Sequence, residues 1–270
     1  MRMTPADGAR FIIVNGTILA YRVAGERLDA ARRVLVFLHG WGRTRDDFDD
    51  LVGRLFPHFS DCAFLQLDLP GFGGSPLTRP DGLSLDDYCN ILKDFFHKLG
   101  LARVTLIGHS LGGRITIKFA ALYPDLVEKL ILISAAGIRP RSFRRTLLGA
   151  GRALFKTVFF AVRDFTFILR LKNLLGAAFG SRDYQTAHEA LRETLKKVLA
   201  EDLRQDAKKI SAPTLLVWGA QDQITPLRDC EEYHSLIRGS QLEVLDGGHF
   251  AFLQNPGKCA ELIASFLQNG

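Results

Sequence analysis

Val104-Thr105-Leu106-Ile107-Gly108-His109-Ser110-Leu111-Gly112-Gly113 is the stretch whose reading decides the fold. An apolar run leads into small-x-Ser-x-small, and an apolar segment of helical character follows. This order predicts a serine carried on a sharp strand-to-helix turn, with its hydroxyl lifted clear of a sheet. The flanking glycines have a physical reason. Backbone crowds backbone at such a turn, and a positive φ is tolerated there only by residues of little bulk. Ser110 is therefore the candidate nucleophile, and the Leu111 N–H, directly after it, is a candidate oxyanion donor.

A serine hydroxyl needs a base, and the base needs an orienting acid. Working outward, three more strand-like runs end in suitable chemistry. Val34-Leu35-Val36-Phe37-Leu38 runs into His39-Gly40-Trp41-Gly42, where close-approaching backbone supplies a second N–H donor, that of Trp41. Thr214-Leu215-Leu216-Val217-Trp218 runs into a loop bearing Asp222, and Leu242-Glu243-Val244-Leu245 runs through Asp246-Gly247-Gly248 to His249. The order Ser110, Asp222, His249 along the chain is that of an elbow fold. Asp246 reads as shaping the turn before the base, His39 as orienting its own loop, and His109 as the variable position of the motif. Asp68 reads as structural, and Arg114 as one half of a structural salt bridge.

Between these points, Asn15-Gly16 joins two strand-like runs and predicts a hairpin of antiparallel edge strands. Strand-like runs at 33–38, 63–68, 103–107, 128–134, 213–218 and 241–245 alternate with helix-like segments at 84–99, 111–123, 226–237 and 257–267. Short, continuous apolar strands alternating with helices predict an α/β fold with a doubly wound, mostly parallel sheet of about eight strands. Ligands then bind at the carboxyl ends of the strands, where all four motifs sit.

The motifs HGWG at 39–42, DLPGFGGS at 68–75, GHSLGG at 108–113, WGAQDQITP at 218–226 and GGHFAF at 247–252 give the chain a clear likeness. It resembles the α/β-hydrolase superfamily over essentially its full length. Within it, the chain is most similar to small, capped, bacterial-type esterases and C–C-bond hydrolases. The resemblance implies Ser110 as nucleophile, His249 as base, Asp222 as the third member, and the Trp41 and Leu111 N–H groups as oxyanion hole. Ser110 stands where haloalkane dehalogenases and epoxide hydrolases carry aspartate, which argues against both. Gly42-Arg43-Thr44-Arg45 departs from the Gly-Pro-Gly extension of the C–C-bond hydrolases and from the loop of proline iminopeptidases.

The interval 137–206 interrupts the alternation and reads as a helical cap inserted between core segments 1–136 and 207–270. From 139 to 182 it carries ten Lys or Arg against the single acid Asp164, a local charge of +9 in a chain of net +6, which leaves −3 elsewhere. Phe155, Phe159, Phe160, Phe165, Phe167, Ile168 and Leu171 are interleaved with that charge. An amphipathic lid, a surface for anionic lipid and a funnel for an anionic substrate all fit. No recognition motif accompanies the charge, which argues against nucleic acid. Cys62, Cys89, Cys230 and Cys259 are scattered and read as buried thiols. No histidine cluster has zinc spacing, so neither metal nor cofactor is expected. The polar N-terminus has no signal-like apolar region and no apolar run is of bilayer length, so the expectation is a cytoplasmic monomer or homodimer.

The leading expectation is a serine hydrolase acting on a carboxylic ester or lactone. Alternatives that keep the same residues are a C–C-bond hydrolase, a cofactor-free perhydrolase and an interfacial lipase using the basic segment. A non-catalytic ligand-binding relative is the alternative of another class.

Overall fold

The computed structural model describes residues 8–139 and 181–269, with 181–188 described by backbone alone. Residues 140–180, the larger part of the expected cap and of its basic run, lie outside the described residues.

Eight strands form one sheet: β1 (Arg10–Val14), β2 (Thr17–Gly25), β3 (Arg33–Leu38), β4 (Cys62–Leu67), β5 (Val104–His109), β6 (Val127–Ile133), β7 (Thr214–Gly219) and β8 (Gln241–Leu245). Their order across the sheet is β1-β2-β4-β3-β5-β6-β7-β8. The hairpin forms at Asn15-Gly16, whose positive φ values of 48° and 78° suit a tight turn of the primed type. Only β1 is an edge. β2 lies inside, antiparallel to both β1 and β4, and the remaining pairs are parallel. The expectation of two edge strands is corrected at β2, because Tyr21–Gly25 find partners on β4 that sequence spacing does not reveal.

The helices with described ends are α1 (Asp49–Leu55), α2 (Leu85–Lys98), α3 (Leu111–Leu122), α4 (Ser181–Ala200), α5 (Arg204–Ala207), α6 (Leu227–Leu236), α7 (Ala251–Gln254) and α8 (Pro256–Gln268). α2 opens on a reciprocal capping box. Ser84 Oγ accepts from the Asp87 N–H at 3.2 Å, and the Asp87 carboxylate accepts from the Ser84 N–H at 2.8 Å. Pro124 follows α3 and starts a short 3-10 turn instead of a further helical one.

Alternate residues of each central strand feed two separate cores. Val34, Val36 and Leu38 of β3 pack with α2, α3 and α6, while Leu35 and Phe37 pack with α1 and α8. Both faces of the sheet are thus covered, as a doubly wound parallel sheet requires. Burying each such Leu, Val or Phe contributes about 1.5–3 kcal/mol. At its centre β3 connects to β4 on one side, while β5 lies on the other. The chain order therefore diverges between β3 and β5, and the loops leaving these two strands face each other across that divide.

Candidate active site

Ser110 follows β5 directly and caps α3. Its φ of 53° and ψ of −107° place it outside ordinary helix and strand backbone, a conformation that costs roughly 1–3 kcal/mol. The glycines around it are demanded by contact. A Cβ on Gly112 would stand 2.0 Å from the Leu38 carbonyl oxygen, and one on Gly108 would stand 2.6 Å from the carbonyl oxygen of Gly112. The turn is fastened to its neighbour strand as well. The Ser110 N–H donates to the Ile133 carbonyl and the Ala136 N–H donates to the Ser110 carbonyl, both at 3.1 Å.

The Ser110 hydroxyl meets His249 Nε2 at 2.9 Å, and His249 Nδ1 meets Asp222 Oδ2 at 2.9 Å. The carboxylate can only accept, so the proton sits on Nδ1 and Nε2 is left to receive the serine proton. His249 is 8% exposed and Asp222 6%. The Asp222 carboxylate also accepts from the Ile224 N–H at 2.8 Å, the Thr225 N–H at 2.9 Å and the Thr225 hydroxyl at 2.8 Å. Burial pushes its pKa up. The hydrogen bond and charge of His249, with the Thr225 donors, outweigh that and hold it below the ordinary carboxylate value. The Thr225 carbonyl is in turn held by the indole N–H of fully buried Trp218 at 2.7 Å. The loops of Asp222 and His249 are joined through Gln221 N–H to the Gly247 carbonyl at 2.8 Å and Gly247 N–H to the Gln221 side chain at 2.6 Å.

Opposite them, the loop after β3 is fixed from inside. The His39 ring accepts from the Leu69 N–H on Nε2 at 3.0 Å, so its Nδ1–H donates to the Gly40 carbonyl at 2.7 Å. The same loop receives the Gly112 N–H on the His39 carbonyl at 3.1 Å. That bond ties it to the first turn of α3. Neither the Trp41 N–H nor the Leu111 N–H is paired with an acceptor among the described residues. The Leu111 N–H also lies in the first turn of a twelve-residue helix, whose N-terminal dipole favours negative charge.

A sequence model described as the alpha/beta hydrolase fold matches residues 33–256. The chain belongs to the α/β-hydrolase family. A pimeloyl-[acyl-carrier protein] methyl ester esterase of Neisseria meningitidis is 30% identical over 256 residues, covering 90% of this chain and 95% of the relative. Among solved structures, an esterase from Exiguobacterium antarcticum superposes with a TM-score of 0.73 at 25% identity, covering 96% of this chain and 99% of that one. The enol-lactonase of Burkholderia xenovorans superposes with a TM-score of 0.75 at 22% identity, over 96% of this chain and 100% of that one, a likeness of fold.

In this α/β-hydrolase several side chains have roles that the sequence does not reveal. Thr225 lies within the WGAQDQITP stretch with no role read for it, yet it gives Asp222 two hydrogen bonds. His109, the nominally variable position of the elbow, is 1% exposed, and its Nε2 lies 3.0 Å from the His249 carbonyl. The Arg43 guanidinium sits 5.4 Å over the Phe250 ring and pairs twice with Asp47, at 2.6 and 2.7 Å, bridging the β3 loop to the residue after His249.

Arg114 is corrected. Among the described residues its guanidinium donates to the backbone carbonyl of Glu201 and to no carboxylate. It joins α3 to the segment after α4. Asp68 is structural as read. Its carboxylate receives the Arg45 N–H and the Gly74 N–H, each at 2.8 Å, along with the Arg45 guanidinium. Asp246 accepts from the Gln221 side chain at 3.0 Å through its carboxylate and from Asn255 at 2.6 Å through its carbonyl, in keeping with a turn-shaping role. The four cysteines are buried and free. Among the described residues no group of His, Cys, Asp and Glu could hold a metal ion, and no helix is long and apolar enough to cross a membrane.

Proposed function

We propose that the protein is a serine hydrolase that cleaves a carboxylic ester or lactone through an acyl-enzyme on Ser110. The observation that carries this reading is the unbroken line of 2.9 Å contacts from Ser110 through His249 to Asp222, set on a strained elbow. Ser110 attacks the acyl carbonyl while His249 Nε2 takes its proton. Asp222 keeps the imidazole in the tautomer that can accept, and stabilises it when it becomes cationic. Negative charge on the carbonyl oxygen is received by the N–H groups of Trp41 and Leu111, neither of which has a competing acceptor among the described residues. His249 then returns its proton to the departing alcohol and activates water to release the acid. In a lactone the alcohol is part of the same molecule, and every step is otherwise unchanged.

The names of the relatives favour an ester bond within this class, and the substrate is a small molecule or the acyl end of a larger one. Residues 137–206 form the cap above the strand ends in this reading, with the core in 1–136 and 207–270.

The test is hydrolysis of p-nitrophenyl esters of graded acyl length, methyl esters and a lactone set, by wild type and Ser110→Ala. The reading expects turnover in the wild type that the variant loses, together with covalent labelling of Ser110 by a fluorophosphonate. Activity that survives the substitution places the chemistry elsewhere.

A further inference from the structure

His109 is usually passed over as the free position in Gly-x-Ser-x-Gly, and nothing in its sequence setting marks it. The structure surrounds it with the site. It lies between the nucleophile's strand and the loop of the base, with ring centroids 4.9 Å from His249, 5.2 Å from Phe250 and 4.8 Å from Phe252. On its other side, a Cβ on Gly40 would stand 2.9 Å from His109 Nδ1 and 3.4 Å from the Ser110 Cβ. One ring therefore spaces the nucleophile strand, the oxyanion loop and the base loop.

Its hydrogen bonding makes that spacing directional. The His249 carbonyl can only accept, so His109 Nε2 carries the proton and donates across 3.0 Å. Nδ1 is then a bare acceptor, and it has no partner among the described residues. A proton there would be a buried donor without an acceptor, which is costlier than a lone acceptor. Burial, reinforced by the charge of nearby His249, holds the pKa of His109 well below the ordinary histidine value. The ring stays neutral and the donor on Nε2 stays in place. The bond matters because Gln221 holds the turn at Gly247, two residues before the imidazole, whereas His109 acts on the backbone of His249 itself.

We propose that His109 is a positioning residue for the catalytic base: its Nε2–H clamps the His249 backbone carbonyl so that the imidazole meets Ser110. Its ring packs against the His249 imidazole, but its hydrogen bond goes to the backbone carbonyl and not to a reacting atom. This rests on the serine-hydrolase reading and adds to it a fourth side chain, carried on the same strand as the nucleophile.

The test compares His109→Gln with His109→Met. The two have matched length and shape, but only glutamine offers a donor where histidine has Nε2. His109→Asn, whose donor is one bond too short, serves as a further variant should the methionine protein fail to fold. Ser110→Ala is run beside them on the same p-nitrophenyl ester. Misplacing a reacting group by about 1 Å costs on the order of 100-fold. Methionine and asparagine are thus expected to lower kcat by roughly 10- to 100-fold with KM within about threefold, while glutamine restores most of kcat. Equal kcat for glutamine and methionine, whether high or low, overturns the proposal, as does asparagine matching glutamine, or a loss that falls on KM. Activity retained by Ser110→Ala would instead overturn the underlying reading, whatever His109 does.

Discussion

Two neighbouring strand ends bend in nearly the same way and serve different ends. Ser110 after β5 has a φ of 53°, and Ser134 after β6 a φ of 44°. Both are serines in left-handed backbone, and each lies directly beyond a buried parallel strand. The first turns into a long helix and presents its hydroxyl to His249. The second is 1% exposed, and its backbone supplies the contacts. Its N–H donates to the Val217 carbonyl at 3.0 Å, and its own carbonyl lies 3.2 Å from the Thr225 hydroxyl. The β6 turn thus helps to seat the threonine that holds Asp222, while the β5 turn carries Ser110, the proposed nucleophile. Strained backbone at the carboxyl edge of this sheet is a scaffold feature. What makes one of the two turns a candidate for chemistry is the imidazole opposite it.

The sharpest way to break this contrast is to delete each hydroxyl. Ser110→Ala should lower kcat for an ester by about 10⁵- to 10⁶-fold, by analogy with loss of a triad serine, while circular dichroism stays unchanged. Ser134→Ala should leave kcat within a few-fold; comparable losses in both would erase the distinction. Next in size, Asp222→Asn should cost about 10⁴-fold in kcat through the wrong imidazole tautomer. Thr225→Val, which removes a hydrogen bond to that charged group worth about 1.5–3 kcal/mol, should cost roughly 10- to 100-fold. A threonine variant with wild-type kcat would detach the β6 turn from the site.

Glycine probes the strain itself. Ser134→Gly and Ser110→Gly should each raise Tm by a few degrees or leave it level, since relief of roughly 1–3 kcal/mol of backbone strain is partly offset by glycine's greater freedom when unfolded. Only the Ser110 variant should lose activity. A fall of more than about 5 °C in either would mean that the turns are not strained.

The smallest effect compares two carboxyls on one loop and helix. Asp222 is held below its ordinary value, and Asp229 is pushed up to about 6 by burial and by the nearby charges of Glu232 and Asp222, against Arg228 and Arg204. A folded pKa raised above the unfolded one means that the native state binds the proton more tightly. Stability therefore falls as pH rises from about 4 through about 6, the opposite of the Asp222 case, where stability is lost as pH falls. Asp229→Asn should raise Tm by a few degrees at pH 8 and leave it unchanged at pH 4; a shift of equal size at both would remove the titration argument.

Much of this was legible in the residues. The apolar runs of β3 to β8, the Asn15-Gly16 hairpin, the Ser84–Asp87 cap and the stop at Pro124 are all local patterns, written within a few positions of where they act. The order Ser110, Asp222, His249 and the small residues beside Ser110 and His249 are local in the same sense. Apolar spacing, turn chemistry and close backbone approach act over short stretches, and a sequence records them directly.

The rest depended on neighbours far apart in the chain. That β2 lies inside the sheet follows from pairing with β4, whose partner residues lie 38 to 46 positions further along the chain. That Arg114 reaches a carbonyl depends on Glu201, and that His109 touches His249 depends on a residue 140 positions further along the chain. Sequence by itself determined which turns and strands form and which residue types stand at their ends. Only the tertiary structure decided which of those ends meet, because a hydrogen bond 3 Å long is set by the packing of the whole sheet and leaves no mark on the spacing of either partner.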